Sequence, residues 1–472
     1  MKNESINKSD LLSSLPQEWP VDLRPEIHRR VKDSHCKVVV LDDDPTGTQT
    51  VHGVPVLTDW SVETLQAELA SDLPAFYILT NSRSFTLDVA RSINTEIGHN
   101  LVAAAQQSNS RYVVVSRSDS TLRGHFPGEM EALSETLSKS FDGWIIAPFF
   151  PEGGRYTIND IHYVEENGRM IPAAETEFAR DKAFGYKSSN LQDWVAEKTG
   201  GHISSEKICS ISISDLREGG PERVVSVLMN LQEKSVCVVN AAAYRDMEVF
   251  VVGLLDAESH GKRFLYRTAA SFVQVRAGLA PRPLLAATDL DLPDSGGGLV
   301  IVGSHVPRTT QQVNALLAHP QISQAEVSVN ALLDETRRMD EINRVAELAE
   351  QAIGQEREMV IYTGRDIVIG ETAASSLSIG QKVSAGLIAI LDSITSRPRY
   401  ILAKGGITSS DVATRGLKVK RAMVSGQILP GVPVWKLKEE SRWPELAYIV
   451  FPGNVGDSNA LIKVVEALRP EK

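Results

Sequence analysis

Short apolar runs alternate with amphipathic segments along most of this chain. The first run, residues 38–41 (VVVL), is typical of a strand buried in a parallel sheet. Similar runs follow it, and segments with apolar residues at helical spacing, such as 62–70 and 89–107, lie between them. Strands that alternate with helices indicate βαβ units. The sequence therefore predicts an α/β fold with mainly parallel sheets.

The length and one proline- and glycine-rich stretch predict how the chain is divided. With 472 residues, it is long enough for two or three domains. Prolines and the run DSGGG interrupt the pattern at 281–298. We therefore predict a polar N-terminal extension (1–34), an α/β domain (35–280), a linker (281–298) and a second α/β domain (299–472). Within the first domain, residues 247–279 are interpreted as helical.

Charge and cysteine content argue against several classes of protein. The chain has 49 basic and 60 acidic residues, a net charge of −11, so a nucleic-acid partner is not expected. No apolar run reaches membrane-spanning length, and the start MKNESINKSD lacks the apolar core of a signal peptide. The three cysteines form no CxxC pair and are interpreted as reduced thiols. These features predict a cytoplasmic protein without a membrane partner.

Three consecutive carboxylates, Asp42, Asp43 and Asp44, follow the first strand and precede the polar segment PTGTQT. Carboxylates this close repel one another, so a polyol, a cation or an arginine must compensate. Ligands of open α/β sheets bind at the carboxyl ends of the strands, which favours a functional role. The alternative is an acidic turn in water, since Asp, Pro, Gly and Thr all favour turns.

Polar segments also follow other apolar runs of the first half, namely TNSRSF (80–85), SRSDSTLRGH (116–125) and APFFPEGGRYT (147–157). In a parallel sheet these strand ends meet at one edge. Arg83, Arg117 and Arg155 are candidates for holding a carboxylate, because guanidinium groups pair with it in a bidentate manner. Asp119 and the aspartates that follow the first strand are candidates for accepting hydrogen bonds from hydroxyls. Together they predict a sugar-acid site, although any single arginine could form a surface ion pair instead.

Glycine-containing turns follow four of the apolar runs in the second half, at Gly303-Ser304, Gly364, 405–409 (GGITS) and 452–456 (PGNVG). Glycine lets the backbone approach a phosphate closely, and the start of a following helix favours anions. Neither GxxxxGK[ST] nor GxGxxG occurs. The residues alone leave a nucleotide site and plain loops equally open.

These motifs together resemble the four-carbon acid sugar kinase family over nearly the whole chain after about residue 35. The resemblance rests on DDxTG (43–47), DSTLRG (119–124), PxxGRxT (151–157), GS (303–304), GGxTS (405–409), PGVP (430–433) and GNxGD (453–457). It implies an N-terminal domain that binds a small sugar acid, a C-terminal domain that binds ATP, and a reaction in the cleft between them. The implied reaction is phosphoryl transfer from ATP, with Mg²⁺, to a terminal hydroxyl of threonate, erythronate or an oxo relative.

The resemblance also assigns residues of this chain to the two sites. By position, the acid site would comprise Asp43, Asp44, Arg117, Asp119, Ser120 and Arg155, and the ATP site would comprise Ser304, Gly405, Gly406, Ile407, Thr408, Gly453 and Asn454. Asp43 or Asp44 is predicted to orient or deprotonate the attacking hydroxyl. Two positions depart from the family pattern, since Arg117 replaces a common lysine and Ile407 replaces a common acidic residue. The sequence assigns no metal ligands.

Two other functions remain open on the sequence. A lyase or aldolase could act on a related acid with a divalent metal bound by the aspartates, and it would turn over without nucleotide. A non-catalytic sensor would bind both ligands and form no product. A homo-oligomer is compatible with an enzyme of this size, although no residue requires one.

Overall fold

The computed structural model describes residues 5–137, 140–232, 235–365 and 373–469. The chain divides into two compact units. Unit 1 contains Met1–Val54 and Asp59–Pro281, and unit 2 contains Pro55–Thr58 and Arg282–Lys472. Both units are built from strands and helices in alternation, and their sheets are mainly parallel. The predicted fold class is therefore confirmed.

The elements are numbered in chain order. The strands are β1 (Ile6–Asn7), β2 (Cys36–Asp42), β3 (Pro55–Leu57), β4 (Ala75–Leu79), β5 (Arg111–Arg117), β6 (Gly143–Ala147), β7 (Arg155–Ile158), β8 (Ile161–Glu166), β9 (Arg169–Pro172), β10 (Cys209–Ile211), β11 (Ser235–Val239), β12 (Phe264–Thr268), β13 (Leu299–Val302), β14 (Ile322–Val327), β15 (Glu358–Thr363), β16 (Tyr400–Lys404), β17 (Arg421–Leu429), β18 (Val432–Leu437) and β19 (Ala447–Phe451). The α-helices are α1 (Lys8–Ser13), α2 (Arg24–Ser34), α3 (Val62–Ala70), α4 (Leu87–Ser108), α5 (Gly128–Thr136), α6 (Leu191–Lys198), α7 (Ile213–Arg217), α8 (Gly220–Met229), α9 (Tyr244–Ser259), α10 (Ala270–Arg276), α11 (Pro307–Leu317), α12 (Val329–Leu333), α13 (Arg338–Gly354), α14 (Ala373–Ser393), α15 (Gly406–Asp411) and α16 (Ala460–Ala467).

The main sheet of unit 1 is parallel throughout, with the strand order β10-β11-β6-β12-β5-β2-β4. The chain adds β4 on one side of β2 and then β5 on the other, so the strand order reverses at β2. Helices α3 to α5 pack together as one group, and α2 packs with α7 to α10 as a second group. Two helix groups and a reversal are typical of a doubly wound sheet, in which ligands bind at the reversal point.

Residues 247–279 are not one helical region, and that prediction was wrong. Helix α9 ends at Ser259, strand β12 pairs in parallel with both β5 and β6, and α10 begins at Ala270. All five residues of β12 are buried. A short strand that is buried on both faces shows no polar alternation, so its pattern cannot be distinguished from a buried helical segment.

The predicted polar extension contains defined elements from residue 5 onward. Strand β1 pairs with β9 at one edge of a small antiparallel sheet with the order β1-β9-β8-β7. Helix α2 buries Ile27 and Val31, and Pro25 lies in its first turn, where the missing N–H is tolerated. The segment therefore packs onto unit 1.

Unit 2 contains five parallel strands in the order β14-β15-β13-β16-β19, followed by the antiparallel strands β18, β17 and β3. The strand order reverses at β13, which has β15 on one side and β16 on the other. Strand β3 comes from the N-terminal half of the sequence and pairs with β17, with Leu57 opposite Arg421. The predicted linker contributes Leu285 and Leu290 to the core of this unit. None of the helices described here combines the length and apolar composition of a membrane span.

Candidate functional site

The aspartate cluster of unit 1 lies at the strand where the sheet order reverses. Asp42 ends β2 and is paired with Arg117 at the end of β5. The Thr80 amide, which follows β4, donates to the Asp42 carbonyl (2.9 Å), and the Asp43 amide donates to the Arg117 carbonyl (3.3 Å). The strand ends that carry the predicted polar segments are therefore neighbours.

Asp42 is buried and paired with a neighbouring arginine. Its side chain is 2% exposed and accepts a hydrogen bond from Nη1 of Arg117 at 3.2 Å. A Cβ atom on Gly47 would lie 2.0 Å from Oδ2 of Asp42, so this turn passes the carboxylate at a distance that only glycine allows. Burial raises the pKa of Asp42 to about 8, although Arg117 opposes the shift. Arg117 is thus occupied by an internal partner.

Asp44 is also occupied by internal partners. Its Oδ1 accepts the Thr46 amide (2.8 Å) at the start of the 3-10 helix Pro45–Thr48, and its Oδ2 pairs with Arg83. Burial acts to raise its pKa, but Arg83 and the bonds from Thr46 outweigh burial and lower it. Asp44 therefore remains ionised and holds the loop in place.

Asp43 lies between these two residues and differs from both. Its side chain is 3% exposed, and neither carboxylate oxygen has a hydrogen-bond partner in the described part of the chain. The nearest cations, Nη1 of Arg83 and Nη1 of Arg117, are 3.8 and 3.9 Å from Oδ1. Burial raises the pKa of Asp43, and the two arginines oppose the shift. A buried carboxylate without donors is costly, and a ligand hydroxyl would supply the missing bond.

Gly124 leaves space beside this carboxylate. Its φ of +120° lies in a region that favours glycine, and a Cβ there would be 3.2 Å from Oδ2 of Asp43. The same Cβ would be 3.4 Å from Nη2 of Arg267. The lack of a side chain at Gly124 thus lets the Asp43 carboxylate and the Arg267 guanidinium approach the same point.

Asp119, predicted to accept ligand hydroxyls, is bonded internally. It accepts from Nε of Arg123 (2.8 Å) and from Thr121 Oγ1, and it pairs with Nη1 of Arg83 (3.3 Å). Burial opposes ionisation, but these partners, with Arg123 foremost, hold the pKa of Asp119 well below its usual range. Asp119 therefore orients Arg83 and Arg123.

Ser120 is held by a buried histidine. Nε2 of His162 lies 2.7 Å from the Ser120 carbonyl, and Nδ1 lies 3.0 Å from Thr157 Oγ1. A carbonyl can only accept, so Nε2 carries the hydrogen and Nδ1 accepts from the threonine hydroxyl. Burial, aided by the charge of Arg155, lowers the pKa of His162 to about 4. The imidazole is neutral at physiological pH and fixes the Ser120 loop.

Protonation of His162 is expected to destabilise the fold in acid. The unfolded chain binds this proton below about pH 6.5 and the folded chain only near pH 4, so stability falls as pH decreases through this range. Between pH 7 and pH 4.5 the wild type should lose about 2 kcal/mol more unfolding free energy than H162Q. Urea denaturation at both pH values measures this difference. H202Q, at an exposed position, serves as the control and should show the wild-type loss; an equal loss in H162Q would contradict the prediction.

Two arginines, the partly buried Arg155 and the buried Arg267, have no carboxylate at ion-pair distance among the described residues. Arg155 has an unpartnered buried Nε, and its guanidinium lies over the Phe178 ring at 5.5 Å. Arg267 is 3% exposed, lies over Phe126 (5.4 Å) and Trp194 (5.2 Å), and donates to the Arg123 carbonyl (3.0 Å). Burial lowers the pKa of both groups. Among the described residues neither cation forms an ion pair, unlike Arg83 and Arg117.

Arg267 and Glu129 were not among the predicted site residues. Arg267 lies on β12, which the sequence pattern did not reveal as a strand. Glu129 is buried on α5, accepts from Ser82 Oγ (2.5 Å) and from Asn94 Nδ2 (3.4 Å), and thus supports the turn that carries Arg83. Burial raises the pKa of Glu129 to about 7. The sequence signal that could have revealed Glu129 is an acidic residue at a helix position where the pattern predicts an apolar one.

The glycine turns of unit 2 are also brought together, because β19, β16, β13 and β15 are neighbours. A Cβ on Gly405 (φ +113°) would be 2.9 Å from Cβ of Ser304, and one on Gly303 would be 2.4 Å from Thr408 Oγ1. A Cβ on Gly453 would be 3.4 Å from Ser304 Oγ. The first two contacts are too short for a Cβ atom, whereas a Cβ on Gly453 would make an ordinary van der Waals contact.

The remaining predicted nucleotide residues lie on the same turns. Gly406 begins α15, and Asn454 is exposed in the turn after β19. The Ile407 side chain is 59% exposed. The structure thus places all seven predicted residues directly after three neighbouring strands. Ser304, Gly405, Gly453 and Asn454 lie on the turns, and the other three lie at the start of α15.

Three basic side chains bind the carbonyl oxygens of these turns. Nζ of Lys404 donates to Pro452 (2.5 Å) and Gly453 (3.2 Å). Nη1 of Arg308 donates to Gly456 (2.8 Å), and Nη1 of Arg365 donates to Ser304 (2.7 Å). No described carboxylate lies at ion-pair distance from any of the three. The positive charge of Arg308 and Arg365, which have no described counter-charge at ion-pair distance, favours binding of an anion at these turns. The sequence analysis missed these basic residues, although Lys404 precedes the GG pair directly.

In the described ranges, no group of three or more His, Cys, Asp or Glu side chains is arranged to hold a metal ion.

Comparison with known proteins identifies the family. A model named sugar-binding N-terminal domain matches residues 38–276, and a model named nucleotide-binding C-terminal domain matches residues 299–461. The chain belongs to the four-carbon acid sugar kinase family. The aspartate and arginine cluster falls within the first match, and the glycine turns fall within the second.

Individual relatives agree with this membership. A D-erythronate kinase from Heliobacterium modesticaldum is 28% identical over 320 residues, which are 66% of each chain, so the match spans just under two thirds of that relative. Two solved structures share the fold at 18% identity. One is a putative tRNA synthase from Salmonella typhimurium LT2 (TM-score 0.65, 91% of this chain and 98% of that one). The other is a DUF1537 protein from Haemophilus influenzae (TM-score 0.60, 91% and 100%).

Proposed function

We propose that this family member is an ATP-dependent kinase that phosphorylates a terminal hydroxyl of a four-carbon sugar acid in the cytoplasm. The observation that carries the proposal is the Asp43 carboxylate, which is buried, has no hydrogen-bond donor in the described part of the chain and lies among arginines in the sugar-binding unit. A hydroxyl is the donor that such a carboxylate lacks. The D-erythronate kinase relative makes D-erythronate the first substrate to test.

The two arginines that form no ion pair among the described residues, Arg155 and Arg267, supply the charge for an acid substrate. Arg155 has an unpartnered Nε and a planar guanidinium, and we assign it to the substrate carboxylate. The Arg267 guanidinium and the Asp43 carboxylate approach the same point beside Gly124. Arg267 is therefore suited to stabilise negative charge near the reacting hydroxyl. Arg83 and Arg117 pair with internal aspartates and therefore shape the site.

The turns of unit 2 suit the phosphates of ATP. Glycine at Gly405 allows close approach of the backbone, and Arg308 and Arg365 supply positive charge with no described carboxylate at ion-pair distance. Mg²⁺ in kinases is usually held by substrate phosphates with one or two carboxylates. We propose that it enters with ATP and neutralises phosphate charge.

The proposed chemistry requires little beyond positioning and charge neutralisation. Asp43 accepts the proton of the terminal hydroxyl, and its raised pKa suits that task. The hydroxyl oxygen forms a bond to the γ-phosphorus, the bond from that phosphorus to the β-γ bridging oxygen breaks, and ADP leaves. The phosphorylated acid then departs, and the Asp43 proton returns to solvent.

The test is ADP release from ATP and Mg²⁺ with D- and L-erythronate, D- and L-threonate, and the 2- and 3-oxo acids. We expect release that depends on one acid, with one phosphorylated product per ADP. Turnover of an acid without nucleotide would instead support the lyase. Binding of both acid and ATP with no product across the panel would support the sensor.

A further inference from the structure

Lys404 stands out among the residues that the proposed reaction does not use directly. It ends β16, immediately before Gly405, and its side chain is fully buried (0% exposed). Nζ donates to the carbonyls of Pro452 (2.5 Å) and Gly453 (3.2 Å) and lies 4.0 Å from the centre of the Phe451 ring. These contacts connect the ends of two neighbouring strands at the glycine turns.

The partners of Lys404 fit a neutral amine. Both hydrogen-bond acceptors are uncharged carbonyls, and among the described residues no carboxylate lies at ion-pair distance from Nζ. A buried ammonium without a counter-ion is costly, whereas a neutral amine has two N–H donors, which matches the two carbonyls. Burial, aided by the charge of Arg308, lowers the pKa of Lys404 to about 6.

The charged groups on the surrounding elements do not supply the missing anion. Arg308 on α11 and Arg365 after β15 are cationic, and His305 after β13 has a pKa that burial and Arg365 lower. On the turn after β19, the carboxylate of Asp457 is paired with Lys463 at 2.7 Å. An anion that stabilises the protonated form of Lys404 must therefore come from a ligand.

We infer that Lys404 is a positioning residue that holds the Pro452–Gly453 turn and takes up one proton from solvent when nucleotide phosphates bind. The inference rests on the proposed function, because it requires nucleotide at these turns. The step is –NH₂ + H⁺ → –NH₃⁺, with the proton supplied by the buffer. Phosphate charge favours the ammonium form and raises the pKa of Lys404 in the complex. Nucleotide affinity must then decrease as pH rises above about 6.

Isothermal titration calorimetry with ADP and excess Mg²⁺ at pH 7.5 tests this linkage. Titrations in HEPES and in Tris, which differ in ionisation enthalpy, give the number of protons taken up. We expect the wild type to take up ~1 proton more than K404R, because arginine keeps its charge in both states. The exposed variant K463M should match the wild type. K404M should bind ADP more weakly, since it loses both hydrogen bonds to the turn.

The outcomes separate this inference from the proposed function. Equal proton uptake by wild type and K404R, with ADP bound by both, would overturn the inference and leave the kinase proposal standing. Absence of ADP binding by the wild type would overturn both. If K404R does not fold, the wild type alone decides, because its ADP dissociation constant should rise by up to ~10-fold per pH unit between pH 7 and pH 8.5. A constant affinity over that range would contradict the linkage.

Discussion

Replacement of Asp43 by asparagine is expected to lower kcat by ~10²- to 10⁴-fold, the usual contribution of a general base. Asparagine keeps the shape of the side chain and an acceptor oxygen but cannot take the hydroxyl proton. The KM for the acid should change much less than kcat. Steady-state kinetics with the acid that supports ADP release measures both constants.

Two matched variants make this prediction specific. D44N removes a carboxylate that pairs with Arg83 and accepts the Thr46 amide, so its main expected effect is a lower unfolding temperature. D193N, at an exposed position on α6, should leave both activity and stability unchanged. A D43N enzyme with near wild-type kcat, or a D44N enzyme with the larger loss of kcat at full stability, would transfer the catalytic role away from Asp43.

Removal of the Arg155 guanidinium should weaken acid binding more than any other single change in unit 1. In the complex the arginine and the substrate carboxylate would form a desolvated pair, and truncation of one partner of such a pair costs about 2 kcal/mol or more. The KM for the acid should therefore rise by ~30-fold or more in R155M, while the KM for ATP stays near its wild-type value.

The chain offers a control on the same small sheet. Arg169 lies on β9 and is exposed, and its side chain bonds only to Ser5 among the described residues, so R169M should bind the acid normally. R155K should recover part of the affinity, because it restores the charge but not the planar fork. An unchanged KM for the acid in R155M would show that the carboxylate binds elsewhere, with Arg267 as the next residue to test.

The sequence predicted those elements whose patterns are set by local chemistry. Apolar runs that end in polar or glycine-rich segments marked β2, β4 and β5 correctly, and likewise β13 and β16. Strand order was not predictable, because neighbours in a parallel sheet are set by long-range packing. Strand β12 was missed because all of its residues are buried, so its sequence shows no alternation of apolar and polar residues. The hairpin of β17 and β18 was missed because the predicted alternation of strands and helices contained no antiparallel pairs.

The candidate site was predictable by residue type but not by role. Asp43 and Asp44 are adjacent and chemically identical, yet Asp44 caps a short helix and pairs closely with Arg83, while Asp43 has no hydrogen-bond donor among the described residues. Likewise, Arg83 and Arg117 form ion pairs with aspartates distant in sequence or on another strand, whereas Arg155 forms none with any described residue. Such differences arise only from the tertiary fold, since composition does not reveal which charges neutralise each other internally.

The short strand β3 has a consequence for how this protein can be cut and recombined. It lies in the first 60 residues of the chain but belongs to unit 2, where it pairs with β17. A fragment that begins at Arg282 would leave Arg421–Met423 without a partner strand and expose their backbone groups to association with other chains. A chimera that exchanges the nucleotide-binding unit between relatives would therefore have to include residues 55–58 as well. The two units cannot be separated by a single cut in the sequence.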